Sequence, residues 1–270
     1  MESGIKEKTN PDYWDQVWSD RTVNDPMDPQ APGLNGTVAR AWHRLFSDLF
    51  MGWQLEPGAR IVEAGCGGST VLPYFAKTFS FDAHGLDYSA TGCALSQAIA
   101  QKAKITTEIH EGDVFDLPKS LKESFDVVYS AGLAEHFFPT EKIVSALSDL
   151  TRPGGYVVTI VPNMYGIVGL LQRLVSPSVF RVHTPLDPGE LAQAHRQAGL
   201  AVLESRYFMT ANFSVINFES EDTRVPANVG LRLASWTSKS VWLCESLGLP
   251  EIRNRLTSPY VLCAARKNGS

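Results

Sequence analysis

The densest run of chemically suggestive residues is Ile61-Val-Glu63-Ala-Gly65-Cys-Gly67-Gly68-Ser-Thr70. A short apolar run meets closely spaced glycines and then a helical pattern. The backbone at Gly65 and Gly67 can therefore approach a ligand with no side chain in the way. In an open α/β sheet such a ligand lies at the carboxyl end of the first strand. Thr70 stands where G-x-G-x-x-G needs its third glycine, which argues against a nicotinamide cofactor. Two acidic residues follow at later strand ends. Asp87 comes 22 positions after Gly65 (87 − 65), and a carboxylate there suits two ribose hydroxyls. In His110-Glu-Gly-Asp113-Val114, Asp113 can accept from an exocyclic amine while the Val114 amide donates to a ring nitrogen.

A second cluster is Ser130-Ala-Gly-Leu-Ala-Glu135-His136. Neutral imidazole has the pKa to take a proton from a hydroxyl, so His136, with Glu135 beside it, is the candidate catalytic group. Residues 162–186 are apolar, Gly-hinged and longer than an ordinary connection, which suits either a lid or an interface. Within or beside that segment Asn163, Tyr165 and His183 are candidate substrate contacts. Near the start of the chain, Tyr13 and Trp14 are placed to close over a ligand.

These residues need elements to hold them. Residues 60–64, 83–87, 105–110, 125–129, 156–161, 200–208 and 259–266 read as strands, with helices over 70–79, 89–102, 140–150, 187–198 and 229–247. Strands alternating with helices imply crossover units and a mainly parallel sheet. An earlier helix, after an Asn35 cap, puts Val38, Trp42, Leu45, Phe46, Leu49 and Phe50 on one stripe. His43 on that helix reads as structural. The organisation expected is an N-terminal cap segment and helix over 1–57, then a sheet domain over 58–270 with insertions at about 162–186 and 211–250.

Taken in order, Glu63 with Gly65 and Gly67, then Asp87, then Asp113, then Thr151-Arg-Pro-Gly-Gly155, resemble the class I S-adenosylmethionine-dependent methyltransferases of small-molecule type. The resemblance covers about residues 58–161 and the final two strands. It implies a Rossmann-like α/β sheet of seven strands, mainly parallel, with the last strand antiparallel. It implies S-adenosylmethionine as cofactor, Glu63 at its methionyl end, the glycines beneath it, Asp87 on the ribose and Asp113 with Val114 on the adenine. Trp14, Tyr88 and Ser130 complete the expected cofactor contacts. The segment with Ser130, Glu135 and His136 is expected beside the transferred methyl group. Its Glu-His pair resembles that of quinone-type O-methyltransferases, where E-x-x-E-H can hold a metal. Gly132 occupies the first of those positions here, so a ligand is lacking and no metal is expected.

Composition sets the outer bounds. The 270 residues are 44% hydrophobic and carry 24 basic against 29 acidic groups, a net charge of −5. This excludes disorder, collagen and coiled coil, and lacks the footprint of a nucleic-acid binder. The opening MESGIKEKTN is polar, with no apolar signal-peptide core, and no stretch spans a bilayer. Cys66, Cys93, Cys244 and Cys263 are scattered, as reduced thiols of a cytoplasmic protein would be. The expected function is methyl transfer to an oxygen or nitrogen of a small metabolite or natural product, by a monomer or homodimer that engages neither nucleic acid nor membrane. The alternatives are a methyltransferase for RNA or protein, and a non-catalytic cofactor-binding partner.

Overall fold

A computed structural model describes residues 5–19, 21–220 and 222–269. The chain begins with strand β1 (Lys6–Glu7), helix α1 (Pro11–Ser19) and helix α2 (Thr37–Gly52). Strands and helices then alternate: β2 (Arg60–Ala64), α3 (Leu72–Phe79), β3 (Asp82–Asp87), α4 (Ala90–Lys102), β4 (Glu108–Glu111) and β5 (Phe125–Ala131). There follow β6 (Phe137–Phe138), α5 (Thr140–Leu150), β7 (Thr151–Pro162), α6 (Ile167–Val175), α7 (Pro177–Arg181), α8 (Pro188–Gln197), β8 (Leu200–Phe208), α9 (Ala227–Ser246) and β9 (Tyr260–Lys267). Seven strands form one sheet in the order β4-β3-β2-β5-β7-β9-β8, and only β9 runs antiparallel to its neighbours. The expected α/β architecture is the observed one.

Both faces of the sheet's centre are covered, which is why β2, β5, β7 and β9 are largely apolar. Alternation along β2 sends Ile61 to one face and Val62 and Ala64 to the other. Ile61 joins Tyr129, Ile160 and Leu262 beneath α2 and α3, where Phe46 packs edge-on against Phe75 (4.7 Å) and Tyr129 (5.4 Å). Val62 and Ala64 join Val128, Val157, Leu147 and Leu150 beneath α5 and α8. The helix read within the N-terminal cap is thus a full layer of the core. His43 on α2 is structural, its Nδ1 lying 2.8 Å from the Tyr74 hydroxyl.

The element boundaries differ from expectation for local reasons. The glycine turn runs on to Val71, because the Ser69 hydroxyl accepts from the amides of Val71 (3.2 Å) and Leu72 (3.1 Å) and delays α3. Strand β4 starts at Glu108, not at 105, because the Ile105 amide is still bonded to Ala100 O (3.0 Å) in the closing turn of α4. Strand β7 begins at Thr151, with a register irregularity that absorbs the Pro-Gly-Gly turn. The two-stranded ribbon of β1 with β6 was not expected at all. Residues 162–186 fold as α6 and α7, and Val168 of α6 packs with Ile216, Phe218 and Ala234 of the later insertion.

Candidate active site

At the carboxyl ends of β2, β3, β4 and β5 lies a cavity of about 710 Å³, within the range of small-molecule sites. The Gly65–Val71 turn forms its floor. Gly65 adopts φ +75°, a left-handed conformation that suits glycine. At Gly67 a side chain would overlap the Trp18 indole, so the turn is close-packed against α1. The Gly67 amide donates to Asp87 Oδ2 and the Ser89 amide to Oδ1 (2.8 and 2.9 Å). Burial raises the Asp87 carboxyl despite these bonds. Glu63 is fully enclosed at the end of β2 and accepts from the Ser69 hydroxyl. Burial outweighs that bond and lifts Glu63 to about 7.

Above this floor the N-terminal segment forms a roof. Helix α1 is pinned by Asp15, whose Oδ1 accepts from the Ser89 hydroxyl (2.6 Å) and the Thr91 amide (3.1 Å) at the start of α4. That brings Tyr13, Trp14 and Trp18 into the cavity wall. Trp14 meets His136 edge-on at 5.2 Å and stacks with Trp18 at 6.1 Å. Glu7 of β1 accepts from the Tyr88 hydroxyl (2.8 Å). Burial raises Glu7, and the nearby Asp113 charge adds to this. Asp113 and Val114 also line the wall. Asp15, Trp18 and Glu7 escaped the reading of the sequence. The i, i+4 spacing of Trp14 and Trp18 was the available signal.

The far wall carries the ionisable cluster. Glu135 is 1% exposed, its Oε2 has no partner among the described residues, and burial raises it to about 8. His136 Nδ1–H donates to Val182 O (3.0 Å), which leaves Nε2 as a free acceptor 3.9 Å from Glu135 Oε1. His183 is held in the same way, through Val179 O (2.6 Å), and the two imidazole rings lie 4.8 Å apart. Burial depresses His136 to about 3 and His183 to about 4. This corrects the expectation of an ordinary imidazole at position 136. It also supplies a third ligand-type group where Gly132 left one lacking: one ligand atom each from Glu135, His136 and His183 lie within 4.8 Å of one another.

Three candidates stand elsewhere. Asn163 is fully buried, and its amide donates to Arg255 O and Ser258 O (2.8 Å each), so it anchors the 255–258 turn instead of facing the cavity. Tyr165 is 40% exposed; its hydroxyl donates to Glu190 (3.1 Å) and Arg255 covers its ring. Ser130 sits behind the wall, fully buried, with a hydroxyl that has no partner among the described residues. Segment 162–186 instead lends Met164, Gln172, Val179 and His183 to the cavity.

Residues 62–159 match the model of a methyltransferase domain, which spans β2 to β7 and so contains the glycine turn, Asp87, Asp113 and the Glu135-His136 pair. This stretch is a methyltransferase domain of the class I S-adenosylmethionine-dependent type, whose cofactor is S-adenosylmethionine. Among curated proteins it is similar to a ubiquinone biosynthesis O-methyltransferase of Cupriavidus pinatubonensis, 26% identical over 176 residues, which is 62% of this chain and 70% of that protein. Among solved structures it resembles the phosphoethanolamine N-methyltransferase 2 of Haemonchus contortus in complex with S-adenosyl-L-methionine (TM-score 0.57, 19% identity, 84% of this chain and 53% of that one). It also resembles the geranyl diphosphate C-methyltransferase of Streptomyces coelicolor, bound to S-adenosyl-L-homocysteine (TM-score 0.59, 16% identity, 95% and 97%). No described helix is long and apolar enough to cross a membrane.

Proposed function

We propose that the protein methylates a hydroxyl group on a small, largely apolar molecule. The observation that carries this reading is the convergence of Glu135, His136 and His183 on the cavity that Glu63 and Asp87 also face. The relative named an O-methyltransferase supports oxygen as the acceptor atom. A net charge of −5 and a wall of Trp14, Val38, Trp42, Met164 and Val179 favour a small apolar ligand over nucleic acid.

In this reading Asp87 takes the ribose hydroxyls, Asp113 and the Val114 amide take the adenine edge, and Glu63 faces the methionyl end, with Gly65 and Gly67 beneath. The fit rests on two buried carboxyls opening into the cavity and on a turn bare of side chains. When bound, the cofactor supplies a methyl group on a sulfonium centre. The protein's part is to align the hydroxyl and dispose of its proton. His136 Nε2, with its lone pair held open by the Val182 bond, accepts that proton. Its basicity is low while Glu135 is neutral. Ionised Glu135 at 3.9 Å would favour the imidazolium by about 4 kcal/mol at an effective dielectric of 20, or roughly three pH units. The rate is therefore expected to rise with pH through about 8, where Glu135 ionises.

The test is methyl transfer to a panel of hydroxylated aromatics and to host extracts, read by mass spectrometry as species differing by one methyl group. His136→Ala should lower the rate ~10²–10⁴-fold with cofactor affinity nearly unchanged. A near-normal rate in that variant would remove the base assignment and point to an acceptor that needs none, such as an amine or a thiolate.

A further inference from the structure

At the opposite margin of the sheet, three residues outside the cavity converge in a way the methyl transfer does not use. His84 of β3 and Glu108 of the edge strand β4 are register partners, and His110 lies two residues further along β4 on the same face. His84 Nδ1 stands 3.4 Å from His110 Nε2 and 3.6 Å from Glu108 Oε2. Two nitrogens bound to one tetrahedral zinc at about 2.0–2.1 Å lie roughly 3.3–3.4 Å apart, so the spacing already matches a shared ion.

The orientation of the rings points the same way. His84 Nε2–H donates to Asp82 Oδ2 (3.0 Å), which turns the Nδ1 lone pair toward His110 and Glu108. A carboxylate that accepts from the far nitrogen of an imidazole fixes the tautomer and the angle a metal requires. Arg60 bonds the same Asp82 oxygen through Nε (3.3 Å), and its Nη2 lies 3.5 Å from His84 Nε2, on the side of the ring away from His110 Nε2 and Glu108. His84 is buried and His110 half-buried, so both imidazoles are held in place by the packed sheet edge. Glu108 is 67% exposed on an edge strand, which leaves the remaining coordination position open to water.

We infer that His84, Glu108 and His110 form a second, non-catalytic site for a borderline divalent transition-metal ion, zinc being the best match to two imidazoles and one carboxylate. The ion clips β4 to β3. Immediately beyond His110, the Gly112 amide donates to Asp87 O (2.8 Å), so the clip steadies the strand end that leads into Asp113.

The experiment titrates Zn²⁺ into untagged, chelator-stripped full-length protein by calorimetry, with the chelator-treated form as the folding control. His183→Asn serves to separate this site from the Glu135-His136-His183 cluster. The wild type should bind one Zn²⁺ that survives His183→Asn and is lost in His110→Asn. Glu108→Gln, an exposed change that spares the fold, should weaken binding. Asp82→Asn should weaken it by roughly 10–100-fold, as loss of an orienting carboxylate does. At a hundredfold excess of Zn²⁺ over Kd, the wild-type Tm should rise by roughly 5–10 °C, and His110→Asn should melt like the metal-free wild type. Zinc binding undiminished in His110→Asn, binding abolished by His183→Asn alone, or no binding at all would each overturn the assignment and leave a plain imidazole–imidazole hydrogen bond at the sheet edge.

Discussion

Glu63 offers a direct way to ask whether the cationic end of the cofactor lies at the end of β2. Burial raises this carboxyl to about 7 in the free protein, so near neutral pH it carries its proton about half the time. A cation bound against it favours the ionised form, so binding expels the proton. The sign follows: affinity for S-adenosylmethionine climbs as pH rises toward 7 and levels off above it. If Glu63 stays ionised throughout in the complex, affinity at pH 5.5 falls roughly 25-fold below that at pH 7.5. Calorimetry in buffers of different ionisation enthalpy reads the same event as about half a proton released per site at pH 7. Glu63→Gln fixes the neutral form and should bind weakly at every pH, near the acid limit of the wild type. A flat affinity profile in the wild type, or an unchanged profile in Glu63→Gln, would refute the placement of Glu63.

Asp87→Ala removes a carboxylate that orders the Gly67 and Ser89 amides and is proposed to hold the ribose; S-adenosylmethionine should bind more weakly by ~1–3 kcal/mol in calorimetry. Phe46→Ala empties a fully buried site among Phe50, Phe75 and Tyr129 and should cost about 3–5 kcal/mol in denaturant unfolding. The pH profile of Tm should have two arms. Glu63 (about 7) and Glu135 (about 8) are raised, so the stability they contribute is whole below the ordinary carboxyl range and is lost as pH rises through 7 to 8. His136, His183 and His195 (about 3, 4 and 4) are depressed, so theirs is present above the ordinary histidine pKa and is lost as pH falls toward those values. Glu135→Gln should shrink the alkaline arm to the part Glu63 contributes and leave the acid arm in place.

The sheet was legible because its signals are local. Strand runs, helix stripes and the caps at Ser89 and Asp187 each lie within a few residues, and the structure holds both caps. The carboxylates at strand ends were legible because chain order fixes where a parallel sheet puts them. What failed needed contacts distant in sequence. Asn163 looks like a pocket residue until the 255–258 turn, some ninety positions on, takes both its amide protons. His183 looks like one candidate among several until the path of α6 and α7 sets it beside His136. The depressed imidazoles were beyond reach for the same reason, because burial belongs to the packed fold and not to the local sequence.

The roof over the cavity has a thermodynamic consequence. Helix α1 bears on both halves at once, with Trp18 on the glycine turn and Trp14 against His136, while Lys6 and Glu7 pair with Phe138 and Phe137 just beyond that histidine. In the proposed function one element would therefore clamp both ligands of the reaction. An acceptor that settles the roof by packing on Trp14 is expected to tighten binding of the methyl donor, and by reciprocity the donor tightens acceptor binding by the same factor. The cofactor dissociation constant measured with and without a non-reacting acceptor analogue gives that factor directly. Loosening the roof at Asp15, which touches neither ligand in this reading, should pull it toward one.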